Sequence, residues 1–103
     1  MRLPVATAAL LGLLISPLGH AEDPTIDRLL ASHCAQCHGT DGRAVGDIDE
    51  LACESAKDIV EELEEMRSED QPEDIMHHQA LGYTENQIER IGRYFESMPE
   101  DEC

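Results

Sequence analysis

Cys34-Ala35-Gln36-Cys37-His38 is the stretch on which the reading of this chain turns. C-x-x-C-H is the attachment signature of a c-type haem. Two thiols add to the vinyl groups of the macrocycle as thioethers, and the next residue offers an imidazole to the iron. The spacing has a mechanical reason. On a helix, positions i, i+3 and i+4 share a face. Cys34, Cys37 and His38 can therefore hold one edge of a flat macrocycle and set a nitrogen over its centre. C-x-x-C alone is also compatible with a redox dithiol or with half a zinc site. A thioredoxin-type dithiol wants a βαβ setting, and no strand pattern precedes Cys34. A zinc site wants a second ligand pair at finger-like spacing, whereas the remaining cysteines, Cys53 and Cys103, are single and far apart. Haem attachment is the reading with the most support, and one covalent haem c is the cofactor expected.

Upstream of the motif, residues 1–21 have the form of an export signal. Arg2 is a short positive region, and Leu3 to Leu18 is mostly apolar. Gly19-His20-Ala21 places small residues at the −3 and −1 positions of a cleavage site, and acidic chain begins at Glu22. A retained anchor is the alternative, but the apolar run is short for a span of about 20 residues. Pro4 and Pro17 bracket it. Cleavage after Ala21 is expected, leaving residues 22–103 as one small domain with no membrane span. Covalent haem attachment in bacteria takes place outside the inner membrane, so signal and motif both point to the periplasm.

A domain this short buries a thin core and usually needs a staple. Aromatic residues are scarce, with Tyr83, Tyr94 and Phe95 and no Trp. That poverty favours a cofactor filling the centre. Charge is the second strong signal: the net formal charge is −16, and losing Arg2 with the leader takes it one unit further negative. Such a surface repels nucleic acid and anionic lipid. It suits a basic partner, or saline surroundings that screen self-repulsion. Lys57 is the only lysine and the acids are spread along the chain, so a general surface style is the simpler reading.

The pattern downstream is all-α. Asp23 caps a first helix with Pro24 at its first position. Ile26, Leu29, Leu30 and His33 follow at helical spacing and lead into Cys34, and Gly39 ends that helix. Gly42 and Gly46 mark a loop. Ser55 opens a middle helix with Ile59, Val60, Leu63 and Met66 as its apolar stripe and Glu61, Glu62, Glu64 and Glu65 toward water. Gln71-Pro72-Glu73 is a linker. Thr84-Glu85-Asn86-Gln87 is a capping box. Ile88, Ile91, Gly92, Phe95 and Met98 form the inner face of the last helix.

With these elements placed, the chain resembles the small class I cytochromes c over nearly all of residues 22–103. The residues that carry the resemblance are Cys34-Ala35-Gln36-Cys37-His38-Gly39, the middle helix, a methionine-bearing loop, and a last helix ending Arg93-Tyr94-Phe95. Cys37-His38-Gly39-Thr40-Asp41-Gly42, then Ile75-Met76 followed by Ala80-Leu81-Gly82-Tyr83-Thr84, are similar to the cytochrome subunits of flavocytochrome c sulfide dehydrogenases. The resemblance implies three to five helices around one haem, with the first and last helices crossing near one haem edge at Gly92 and Tyr94.

The axial ligands follow in part. His38 is the proximal one. Met66, Met76, Met98, His77 and His78 are the candidates for the other side. Met66 completes the middle helix's stripe and Met98 lies in the final turn, so both read as packing. Met76 is expected in a loop, from which a thioether can swing onto the distal face, and the resembled family carries its ligand here. His77 and His78 are the rivals. A His/Met pair raises the reduction potential, whereas two nitrogen donors leave it lower. His20 lies in the leader, and His33 is expected to pack beside the motif. Cys53 and Cys103 are an even pair in an oxidising compartment. Bridging them would close a loop worth on the order of 4 kcal/mol in the chain-entropy model. Two free thiols, or a link from Cys103 to a partner, are the other possibilities, and the resemblance is silent on the pair.

The expected function is outer-sphere electron transfer by a periplasmic chain that is not itself an enzyme. It would relay electrons from a sulfide-oxidising flavoprotein subunit to a further redox protein. A free soluble carrier to a terminal oxidase or similar enzyme is the alternative. A haem-based sensor is a further one, and it requires a vacant or labile sixth site. Acid pairs such as Asp49-Glu50 stand in a uniformly acidic background and are given no acid–base role.

Overall fold

Asp23 opens the first helix by accepting the Thr25 amide at 2.8 Å, with Pro24 in the first position, where its missing N–H costs nothing. The computed structural model describes Met1 and residues 22–103; the leader reading of 1–21 therefore lies outside the described residues, Met1 aside. In chain order the α-helices are α1 (Pro24–Ala31), α2 (Ala35–His38), α3 (Ala56–Ser68), α4 (Ile75–Leu81) and α5 (Glu85–Glu96). Short 3-10 turns occupy Ser32–Cys34, Thr40–Gly42 and Glu100–Glu102, and no strand occurs among the described residues. The all-α architecture expected from the sequence is the one observed.

Each longer helix starts where a side chain satisfies its free amides. Ser55 accepts the Asp58 amide at 3.1 Å, and Thr84 and Gln87 close a reciprocal capping box. Helix α5 is the central element, with α1 and α3 packed on it and α4 on α3. Its Ile88, Ile91 and Phe95 are the largest fully buried side chains. At about 1.5–3 kcal/mol each, they form the centre of the core. Ala31, Ile59, Leu63 and Ala80 complete it.

Four expectations need correction. The helix expected to run from Pro24 through the haem motif is broken into α1, a 3-10 turn and α2. Tightening to three residues per turn re-aims the chain just before Cys37. Of the apolar residues at helical spacing in α1, Leu30 packs against the core, but Ile26 and Leu29 are 40% and 60% exposed, and the buried positions are Asp27 and Ala31, at 8% and 3%. Helix α5 presents Arg90 and Arg93 where α1 lands, so an acid faces it. Gly92 does allow a close approach, but to the middle helix: a Cβ there would stand 3.0 Å from the Ala56 carbonyl oxygen and 3.2 Å from Val60 Cγ2. Finally, Met76 is not in a loop. It is the second residue of α4, which Asp74 caps through the Met76 and His77 amides.

Candidate functional site

The 3-10 turn, α2 and the loop after it bring Cys34, Cys37 and His38 to one wall of a cavity of about 390 Å³. That volume falls within the range of small-molecule and cofactor sites. Leu51, Ile59, Leu63, Ile91 and Phe95 make its floor apolar, while α3 and α4 add Met66 and Met76 to the same lining. Both motif cysteines are free thiols. Burial in this apolar setting pushes the Cys34 thiol up to about 11, so at neutral pH it is a protonated thiol rather than a thiolate. A redox dithiol needs the opposite shift.

His38 is held by its other nitrogen. Its Nδ1 lies 2.7 Å from the backbone oxygen of Asp49. A carbonyl only accepts, so Nδ1 carries the proton and donates it. Nε2 is then left with a lone pair, as metal-binding histidines commonly are when a second partner fixes their tautomer. The loop that delivers Asp49 is anchored by the Leu51 and Ala52 amides, which donate to the Gly42 oxygen at 2.9 and 3.1 Å. Gly42 has φ +77°, and a Cβ on it would stand 2.8 Å from Phe95 Cε1 and 2.9 Å from Leu51 Cβ. The loop reaches the cavity wall only because that position has no side chain.

The candidates for the second ligand separate by whether they line this cavity. Met76 and Met66 both line the cavity and both are half-buried, so the helical stripe of α3 does not remove Met66 from it. His77, His78 and Met98 do not line it. His77 Nδ1 instead lies 2.9 Å from the Asp74 carboxylate as part of the α4 cap. The hydrogen bond to the His77 amide, first among several contacts, holds the Asp74 carboxyl below its ordinary range. His33 lines the same cavity beside the motif, stacked on Tyr83 at a ring-centroid distance of 6.4 Å, with 3.3 Å between its Nδ1 and the phenol oxygen.

Among the described residues, no group of three or more His, Cys, Asp or Glu comes together as a metal site. The zinc alternative therefore finds no ligand set. What the cavity lining does bring together, over an apolar floor, is two thiols and one imidazole from the motif and two thioethers from α3 and α4. This donor set fits a flat apolar cofactor held covalently at its edge and ligated by its metal.

Two features lay beyond the sequence reading. Asp27 is buried between α1 and α5, with its carboxylate 2.6 Å from Arg90 Nε and 3.4 Å from Arg93. Burial raises its pKa, but the two guanidiniums outweigh that and hold it below the ordinary range. The second is the Tyr94 hydroxyl, which donates to Asp41 at 2.5 Å and ties α5 to the loop after the motif. Cys53 and Cys103 are joined as a disulfide with Cα atoms 6.0 Å apart, a separation that such bridges accept. Among the described residues no helix is long and apolar enough to cross a membrane.

No protein-family model matches the chain. Over 70 residues it is 31% identical to the cytochrome subunit of sulfide dehydrogenase of Chlorobaculum tepidum. The alignment takes in 68% of this chain and 64% of that protein, so the chain spans just under two thirds of the relative's length. In motif, helical architecture and alignment alike, the chain resembles the class I c-type cytochromes and, among them, the cytochrome subunit of a sulfide dehydrogenase.

Proposed function

We propose that this chain is a periplasmic electron-transfer protein carrying one covalent haem c, and that it serves as the haem subunit of a sulfide-oxidising flavoprotein. The observation that carries the haem reading is the convergence of Cys34, Cys37 and His38 on one apolar cavity, with His38 Nδ1 already bonded to the Asp49 oxygen. Cys34 and Cys37 hold the macrocycle as thioethers. His38 would give Nε2 to the iron, and Met76 would give its sulfur. The bound haem would supply a one-electron Fe(II)/Fe(III) couple. The residues around it set the conditions for that couple. Leu51, Ile59, Leu63 and Phe95 keep water from the buried face, while Asp49 fixes the imidazole. With His38 and Met76 both given to the iron, the haem would have no place for a substrate, and the role left to the chain would be electron relay.

The sulfide-dehydrogenase assignment rests on the similarity to the Chlorobaculum tepidum subunit. A sulfide dehydrogenase with a separate cytochrome subunit needs a second protein to take electrons from sulfide, and a flavoprotein is the partner proposed. Native purification with visible and flavin spectra tests both levels. A polypeptide that retains haem absorbance on a denaturing gel after acid–acetone extraction supports the haem reading. Loss of all haem at that step overturns it. A flavoprotein that travels with the chain supports the subunit role. A haem-bearing monomer without flavin makes it a free soluble carrier.

A further inference from the structure

Residues 43–53 deliver the one carbonyl that orients His38, yet their middle is weakly held. Residues 45–50 are exposed, and residues 44–50 make no hydrogen bond from main chain to main chain among the described residues. The position of the Asp49 oxygen therefore depends on the two ends of the loop. Both ends are fastened to the same short segment, residues 99–103. At the leading end Arg43 is ion-paired with Glu102. At the trailing end Cys53 is bridged to Cys103. The segment is itself set by a 3-10 turn, with the Glu102 amide on the Pro99 oxygen at 2.9 Å and the Cys103 amide on the Glu100 oxygen at 3.2 Å. Cys53 also donates its amide to the Phe95 oxygen at 3.0 Å and holds φ at +65°. A non-glycine residue stays in that region only where its surroundings over-determine it.

We propose that residues 99–103 are a brace for the axial histidine, with Cys53, Cys103, Arg43 and Glu102 as positioning residues that act on His38 through the Asp49 carbonyl. This rests on the haem reading above. By clamping both ends of the 43–53 loop, the brace keeps the acceptor in line with Nδ1–H. A strong bond there makes the imidazole a more basic ligand, which favours the ferric state. Slackening the brace should weaken that bond and move the reduction potential upward.

The test uses the haem-loaded full chain as wild type, Cys53→Ser/Cys103→Ser and Glu102→Gln. Asp27→Asn serves as a variant that loosens α1 against α5 without touching the loop. Two quantities are read: solvent exchange of the His38 Nδ1 proton by NMR in the reduced protein, and the reduction potential. The double serine variant should exchange that proton about tenfold faster or more, with a higher potential. Glu102→Gln should change both in the same direction by less. Asp27→Asn should lower the melting temperature and change neither. Unchanged exchange and potential in the double variant overturns the brace, as does an equal change in Asp27→Asn. Should the double variant fail to fold, reduction and alkylation of the two cysteines in the folded protein takes its place, since thioethers survive that treatment. A wild-type chain without covalent haem defeats the haem reading instead, so the two failures are distinct.

Discussion

Single atoms decide most of the site. Met66 and Met76 offer the same sulfur to the same cavity from two helices. Met76→Ala should abolish the weak sulfur-to-iron charge-transfer band at the red end of the oxidised spectrum and lower the potential, because a sulfur ligand favours the ferrous state. Met66→Ala should keep the band and cost about 2–4 kcal/mol or less, as a half-buried side chain leaves a partly open cavity. Loss of the band in Met66→Ala alone would move the ligand role to α3. Gly42 gives a second residue-scale expectation. An alanine there meets Phe95 Cε1, the Ala52 amide nitrogen and Leu51 Cβ at under 3 Å, besides the left-handed strain of about 1–2 kcal/mol. Gly42→Ala should lower the melting temperature and also disturb His38, because Gly42 holds the loop that presents Asp49. A variant with wild-type stability and an unshifted His38 ring proton would show that the loop does not depend on this glycine.

Among the elements, the α1–α5 contact carries an expectation that pH can read. Asp27 has a depressed carboxyl pKa in the fold because Arg90 and Arg93 outweigh its burial. A depressed acid contributes stability that is fully present above its unfolded value, about 3.9. That contribution fades as pH falls through the lower folded value. Asp27→Ala should cost about 1–3 kcal/mol near neutrality, since it removes the buried acceptor of the half-buried Arg90 guanidinium, and the gap to wild type should narrow in acid melts below pH 4. A constant gap across that range would show that the ion pair is not the source. These elements are unevenly legible in the sequence, for physical reasons. Asp23-Pro24, Ser55 and Thr84…Gln87 announce their helices because capping chemistry is local. Helix α4 stayed hidden because its cap is Asp74 closed by His77 rather than by Glu or Gln, just after a proline linker. The burial of Asp27 in α1 is not legible from hydropathy spacing, which cannot show that this helix meets two arginines. The thiols and imidazole of the site were legible from their spacing alone. The Asp49 acceptor was not, because a backbone carbonyl leaves no mark in side-chain identity.

Across the whole molecule, the excess of acid is the governing property. Arg43, Lys57, Arg67, Arg90 and Arg93 are each already ion-paired with a carboxylate. The surplus acids are left to repel one another. Added salt should therefore raise the melting temperature by screening that repulsion, while electron exchange with a small redox partner stays flat or speeds up. A steep fall in exchange rate without a gain in melting temperature would instead mark the acids as a steering field for a basic partner. The scarcity of lysine has a practical side as well. Lys57 carries the only ε-amine, is 78% exposed, and stands on the side of α3 turned away from Ile59, Leu63 and Met66. Amine coupling to a carboxylate-coated electrode would thus have one side-chain anchor, Lys57, in addition to the terminal amine, and would place it on the face of α3 away from the cavity lining.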